Sequence, residues 1–416
     1  MARKRKKKTT TYNGPSAYKR YLSSLRFALN DAKLVTCYAK FKSSELHHMF
    51  YNLPKLLPAE SCNHLLTQVE LKKINKLIRF KLLKEKLDVA DRNATIFDII
   101  ILYTYSIGMQ KRIARETGDR NNPEIDKFKD LEKKFYRQFF ERYVLMLVRV
   151  TLQMSIPSTK YIAINVRIAA IFKDNPALDV ITELSGVNAK KSYVGINGNY
   201  RPIFQLGSPD FTIGFRWIEV CNTVLPATHQ TKHDSLSLHI QAHALRRLKE
   251  RLNLLSTEAL HYALWENTVK IKSILAYKQY LLLPYKLHGV IVGYMVMDVI
   301  EDKLICKTFL FITHNSTPEG DKLKQISGLG KHDISYWKID RLSTFVNMPE
   351  NQYPQLLELF NEAGLGELSE LKNKAFDVET LQLANLDGLS EYISRGSNAD
   401  QVQKQEFKQM LASCAV

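Results

Sequence analysis

The stretch Val290–Ile300 limits the fold more than any other. Val290, Val292, Tyr294, Val296 and Asp298 alternate with Ile291, Gly293, Met295 and Met297, and both sets are almost wholly apolar. Successive side chains of a strand point to opposite faces, so a strand of this composition needs cover on both. Further strands are expected at Val269–Ala276, Gln279–Pro284 and Leu304–Thr313, with His288-Gly289 and Glu301-Asp302 at the two hairpin turns. Two helices precede them. Across Gln241–Asn253 the residues Ala244, Leu245, Leu248 and Leu252 form one apolar stripe. Ser256-Thr257 offers an N-cap for a second helix, Glu258–Glu266. These helices are expected on one face of the sheet.

The first of them carries a second stripe. His243, Arg247 and Arg251 are spaced i, i+4, i+8 along its flank, and Arg246 and Glu250 are i, i+4 neighbours. The pattern His-Ala-x-x-Arg-x-x-x-Arg (His243, Ala244, Arg247, Arg251), followed by a helix and a four-strand meander, resembles small ribonuclease toxins of the RelE and BrnT kind. The resemblance covers roughly residues 235–314. It implies a compact helix-helix-sheet unit that cuts RNA without a metal, with His243 or His239 in proton transfer and Arg247 and Arg251 holding phosphate. The residue types suit that chemistry. Attack by a 2′-hydroxyl needs a base, an acid and positive charge on the phosphorane, and His and Arg supply these. His314 follows a strand end and precedes Asn315, a position where catalytic groups collect. Those toxins stand alone, whereas this stretch lies behind more than two hundred residues.

Other readings of the same residues stay open. A basic stripe at i, i+4, i+8 is also the ordinary pattern of a solvated helix face. His233, His239 and His243 have no Cys or acidic partner at zinc-ligand spacing, so no metal and no cofactor is assigned. No phosphate loop, dinucleotide fingerprint, nucleophile elbow or kinase motif occurs; Gly195–Asn199 (GINGN) lacks the Lys-Ser/Thr of a P-loop.

Charge points to a partner. The 416 residues carry a formal +18, and residues 1–41 hold eleven Lys and Arg against Asp31, so +10 of it sits in a tenth of the chain. Arg3, Lys4, Arg5, Lys6, Lys7 and Lys8 run without an apolar residue into a polar stretch, as a disordered arm does. No apolar core follows them before Leu22, so the arm is not a signal peptide. It reads as a clamp for phosphate backbones, with a nuclear-localisation signal and a membrane-surface anchor as competing readings. Nucleic acid is preferred because the charge continues into the folded part. In the helix expected at Val69–Leu87, Leu71, Ile74, Ile78 and Leu82 form one face while Lys72, Lys73, Lys76 and Arg79 crowd the rest. A surface helix rich in a good helix former would look the same.

Residues 16–156 read as a helical domain. Ala94–Arg115 is apolar almost all round and too short for a membrane span, which needs about 20 apolar residues. Asn122-Pro123 starts a helix to Ser155 that turns Ile125, Phe128, Leu131, Phe135, Phe139, Tyr143, Met146 and Val150 inward. Its aromatic-basic mixture is the vocabulary of single-strand binding and equally of core plus rim. Residues 157–228 turn β-rich, with strands expected at Tyr161–Ile171, Tyr193–Ile196, Ile203–Leu206 and Phe211–Val220. An α+β module over 229–350 and peripheral helices at Pro354–Glu362 and Val378–Ile393 follow, and Arg395–Val416 is a tail available to a protein partner. Five scattered cysteines (Cys37, Cys62, Cys221, Cys306, Cys414) argue for a reducing compartment, cytoplasmic or virion-associated.

The fold class expected is α+β. The function expected is a basic nucleic-acid-binding protein, non-enzymatic and concerned with assembly or packaging. The alternative is a metal-independent ribonuclease using the His243/Arg247/Arg251 helix.

Overall fold

The computed structural model describes residues 15–31 and 41–373, apart from 57, 85, 90, 91, 171–177, 197, 211 and 350, together with Leu389 and Ile393. The basic arm Arg3–Lys8, Cys37, Cys414 and the tail Arg395–Val416 lie outside these residues, as does the helix expected at Val378–Ile393 except for Leu389 and Ile393. The chain is α+β and divides into two compact units. One comprises Met1–Thr151, Ile162–Gly186 and Pro209–Gly214; the other comprises Leu152–Tyr161, Val187–Ser208 and Phe215–Val416. This partition cuts across the stretch read as a β-rich segment, because strands join whichever sheet completes their ladders and not their sequence neighbours.

The first unit is mainly helical. It holds α1 (Pro15–Asp31), α2 (Ser43–Tyr51), β1 (Lys55–Leu56), β2 (Glu60–Ser61), α3 (Gln68–Lys84), β3 (Lys86–Val89), β4 (Arg92–Thr95), α4 (Ile96–Thr117) and α5 (Pro123–Met154). Strands β5 (Lys160–Ala170) and β6 (Leu178–Asn188) follow, and β6 runs parallel to β1 and β2. Helix α4 is buried over most of its circumference, as its composition demanded. Thr95 caps it, accepting from Asp98 N at 3.2 Å while Asp98 accepts from Thr95 N at 2.9 Å. Gly118 ends it at φ 69°, the left-handed turn that favours glycine. On α5 the residues Ile125, Phe135, Phe139, Tyr143, Met146 and Val150 are buried, while Phe128 and Leu131 are half-buried. The basic residues of α5 are therefore rim to a core stripe.

The second unit is built on an eight-stranded sheet in the order β13-β14-β15-β16-β12-β8-β7, with β11 also pairing β12. In chain order these are β7 (Lys191–Ile196), β8 (Asn199–Gln205), β11 (Glu219–Cys221), β12 (Ser235–Gln241), β13 (Leu275–Tyr277), β14 (Tyr280–Leu287), β15 (Val290–Ile300) and β16 (Lys303–Phe311); the short β9 (Gly207–Asp210) and β10 (Gly214–Trp217) pair with each other in a separate two-stranded sheet. Helices α6 (Ala242–Arg251) and α7 (Thr257–Thr268) lie between β12 and β13. After the sheet come α8 (Pro318–Ser327), α9 (Lys331–Tyr336), α10 (Leu342–Asn347), α11 (Pro354–Glu362) and a 3₁₀ segment, Gly366–Asn373.

Strand β15 is buried along most of its length. Helix α6 packs on β16 and α7 on β14, while the Gly366–Asn373 segment packs on β15. The expectation that the Pro354–Glu362 helix is peripheral is thus corrected. Leu356 and Phe360 of α11 and Leu365, Leu368 and Leu371 after it are all core residues. Their apolar spacing gave the segment a face to bury, and the sheet supplied the surface. Gly293 leaves no room for a side chain, since a Cβ there would lie 2.2 Å from Leu310 O.

Three further expectations change. Val269–Ala276 is not one strand: Val269 caps α7, Ile274 N bonds Val224 O at 3.0 Å, and only Leu275–Tyr277 pairs in the sheet. Phe211–Val220 is broken into β10 and β11, with Gly214 at φ 87°. Strand β12 was not expected at all, although Leu236, Leu238 and Ile240 alternate as buried residues within it.

Candidate functional site

Within the second sheet one neighbouring pair runs parallel: β12 beside β16, with Ser237 opposite Lys303 and Ile240 opposite Cys306. Their carboxyl ends therefore open on the same side, the geometry in which α/β sheets hold ligands. From β12 the chain passes straight into α6, so His243 stands in the first turn of that helix. From β16 it passes through Thr308–Phe311 to His314.

Between these ends lies a cleft of about 370 Å³. Its walls are α6 (His243, Arg247, Arg251), the end of β16, His314 with Asn315, and α9 with Lys331, His332 and Ser335; Asp340 closes it. A volume of that order is in the range of small-ligand sites, about 300–1,000 Å³. The structure thus brings His243, His314, Arg247 and Arg251 together. His239 is not in that lining. It belongs to strand β12 and is buried, with Nδ1 3.0 Å from Ser237 O. Its period is two and not 3.6, so its spacing from His243 does not put the two on one helix face.

Local packing fixes the position of His314. Its N–H donates to Phe311 O at 2.9 Å, and its carbonyl accepts from Thr317 N at 2.8 Å. Thr317 caps α8, and Gly320 in the first turn comes so close that a Cβ would sit 2.0 Å from His314 O. The ring is placed as firmly: Ser316 N–H donates to His314 Nδ1 at 3.1 Å. A backbone N–H can only donate, so Nδ1 is the acceptor and the neutral ring carries its proton on Nε2. Burial, with Lys331 and Arg251 nearby, pushes the His314 pKa down to about 4, so the ring is neutral at physiological pH.

His243 has the same polarity. Arg246 Nη2 donates to its Nδ1 at 3.0 Å, which again leaves Nε2 as the N–H. Burial lowers its pKa, and Arg247, Arg246 and Arg201 act in the same direction. Both rings are therefore neutral donors, and the usual acceptor nitrogen of each is already engaged.

The arginines differ from one another. Arg247 Nη1 is 2.8 Å from Glu250 Oε2 and stays partly exposed, with its side chain at 39%. Arg251 is more buried and ion-paired with Asp340, which also lies 3.9 Å from Arg341 Nε. Burial raises the Asp340 pKa against the pull of Arg251, and burial lowers that of Arg251 against the pull of Asp340. Two acceptor oxygens in the lining, Asn315 Oδ1 and Asp340 Oδ1, have no hydrogen-bond partner. Both oxygens are buried, so what the cleft offers a ligand is mainly its donors, the arginines, Lys331 and the histidine rings.

Sequence reasoning reached the α6 stripe and His314 but missed Lys331, Ser335 and Asp340. Nothing local marks them; Asp340 matters only because tertiary packing sets it against Arg251. The other basic group stands on the first unit: Lys72, Lys73, Lys76 and Arg79 are all on the exposed side of α3, opposite the buried Ile74, Ile78 and Leu82. Among the described residues no three His, Cys, Asp or Glu gather in a metal-holding group, and no helix is long and apolar enough to cross a membrane. Comparison with known protein families, with curated proteins and with solved structures found no match for this chain.

Proposed function

We propose that this is a nucleic-acid-binding protein, and that the cleft beside α6 is its folded contact with the sugar-phosphate chain. One observation carries the reading: the cleft is lined by donors, namely Arg247, Lys331, His332 and the rings of His243 and His314, which carry their protons on Nε2. The only carboxylate in the lining, Asp340, is already paired with Arg251. Such a surface favours phosphate. The basic arm Arg3–Lys8 and the exposed lysines of α3 add cations for a long polyanion. An assembly or packaging role, in which nucleic acid is held and not cut, fits a cleft without an available base.

Binding of the full-length protein to labelled RNA and DNA across a salt series tests this. Arg247→Ala combined with Lys331→Ala should weaken binding of every sequence alike, because phosphate contacts carry no sequence information. Retention of full affinity by that variant would remove the cleft from the proposal.

A second reading, metal-independent RNA cleavage, is favoured by His243 and His314 lining one cleft with two arginines. It requires His243 Nδ1 to let go of Arg246, whose side chain is 66% exposed and able to swing away. Labelled RNA incubated in EDTA decides it. Wild-type protein that cuts no faster than His243→Ala/Arg247→Ala ends this alternative.

A further inference from the structure

The β7–β8 hairpin forms the open end of the second sheet, with β7 as the last strand of the ladder among the described residues. Residues 187–205 include Lys190, Lys191 and Arg201 and no carboxylate. In its register Tyr193 faces Pro202 and Gly195 faces Tyr200, so Lys191, Tyr193, Tyr200 and Pro202 share one face. Tyr193 is 61% exposed and Tyr200 83%. These are high values for aromatic rings on a two-stranded ladder that the sheet already anchors. The space over Gly195 is open, with nothing within 4 Å of an added Cβ, so the Tyr200 ring has a clear approach. Lys191 Nζ lies 5.1 Å from the Tyr193 ring centre, and Lys190 Nζ lies 4.6 Å from that of Trp217.

We infer that this face is a stacking platform for the unpaired bases of a single-stranded nucleic acid. The inference rests on the nucleic-acid reading above and deepens it by naming the strand state. Flat aromatic faces flanked by cations and free of carboxylates accept a base on the ring and a phosphate on the lysine. Bases in a duplex are already stacked and offer the rings nothing. The hairpin also adjoins the cleft: β8 packs against α6, and Arg201, opposite Val194, is near enough to His243 to help lower its pKa. On this proposal a single strand held by its phosphates beside α6 continues round the edge of the hairpin to the tyrosines. A protein strand added to β7 would use the backbone of that edge and would not need Tyr193 and Tyr200 as rings.

The test is fluorescence anisotropy of the full-length protein at one fixed salt concentration. The probes are a labelled single-stranded RNA of about 12 nucleotides, within the span such sites cover, and the duplex of the same length. Wild type is expected to prefer the single strand. Tyr193→Ala/Tyr200→Ala is expected to weaken single-strand binding at least about tenfold while changing duplex binding by less than about twofold, since stacking depends on the ring. Tyr193→Phe/Tyr200→Phe keeps the rings and should bind as wild type does. An alanine variant that binds the single strand with full affinity, or loses single strand and duplex equally, overturns the platform. If binding in that case still depends on Arg247 and Lys331, the proposed function survives its loss. Wild type that binds neither probe overturns both.

Discussion

Replacing Arg251 by Met should destabilise the second unit in a way that depends on pH. Arg251 joins α6 to Asp340, which is 6% exposed and ion-paired to it, and Asn253 repeats the link through Ser343 at 2.9 Å. Methionine fills much the same volume but leaves the carboxylate buried without its main partner. Removing one member of a buried pair costs about 3–5 kcal/mol. Arg341 Nε remains 3.9 Å from Asp340 Oδ1 and offsets part of the loss, so about 2–3 kcal/mol is expected at pH 7.5. Burial raises the Asp340 pKa even with Arg251 present. In the variant the folded state therefore takes up a proton more readily than the unfolded chain. Stability from that proton is present below the unfolded carboxylate value and is lost as pH rises through the raised folded value. The deficit should shrink as pH falls from 7.5 towards 5. Adding Asp340→Asn should recover most of it at pH 7.5. The assay is urea unfolding followed by tryptophan emission, because all three tryptophans, Trp217, Trp265 and Trp337, belong to the second unit. A loss of about 2–3 kcal/mol moves the midpoint by roughly 1 M. A midpoint like that of wild type, or a deficit equal at pH 7.5 and pH 5, would refute the account of the pair.

Other outcomes follow from the same structure. His314, with its folded pKa near 4 below the unfolded 6.5, makes the second unit lose stability as pH falls from 6.5 to 4. The loss is at most about 3 kcal/mol and less where water still reaches the ring; His314→Gln should flatten that part of the tryptophan-detected pH profile. Gly320→Ala should cost about 3 kcal/mol, because its methyl would meet the backbone of His314 and nothing flexible can give way; a thermal melt unchanged from wild type contradicts this. Deleting residues 2–12 removes the six cations Arg3–Lys8 and should lower the salt slope of duplex DNA binding by about 5 at most, with the melting temperature unaltered. An identical slope would show that the arm does not touch phosphate.

Most of the architecture was legible along the chain. The doubly apolar Val290–Ile300 demanded a sheet covered on both faces, and the turns at His288-Gly289 and Glu301-Asp302 are where the backbone reverses, with His288 and Glu301 at positive φ. Helix α4 was set by its all-round apolar composition, and α11 by Pro354 at its start and its apolar spacing. These are local properties: a period of 2 or 3.6, a capping residue, a turn dipeptide. The His243/Arg247/Arg251 stripe was equally visible, because it needs only helical geometry.

What the stripe faces was decided elsewhere. The parallel pairing of β12 with β16 sets the carboxyl ends of two strands about sixty residues apart against each other, and this brings His314 to the same cleft as His243. His239 resembled a partner of His243 in sequence, yet strand β12 buries it in the sheet. Asp340 acquires its role from an arginine 89 positions away. The proton positions of the two cleft histidines were also beyond the sequence, since Ser316 N–H and Arg246 fix them through space. Periodicity records which side of an element is buried, because burial repeats along it; which elements meet, and which lone pairs they occupy, depends on contacts between distant residues that leave no periodic trace.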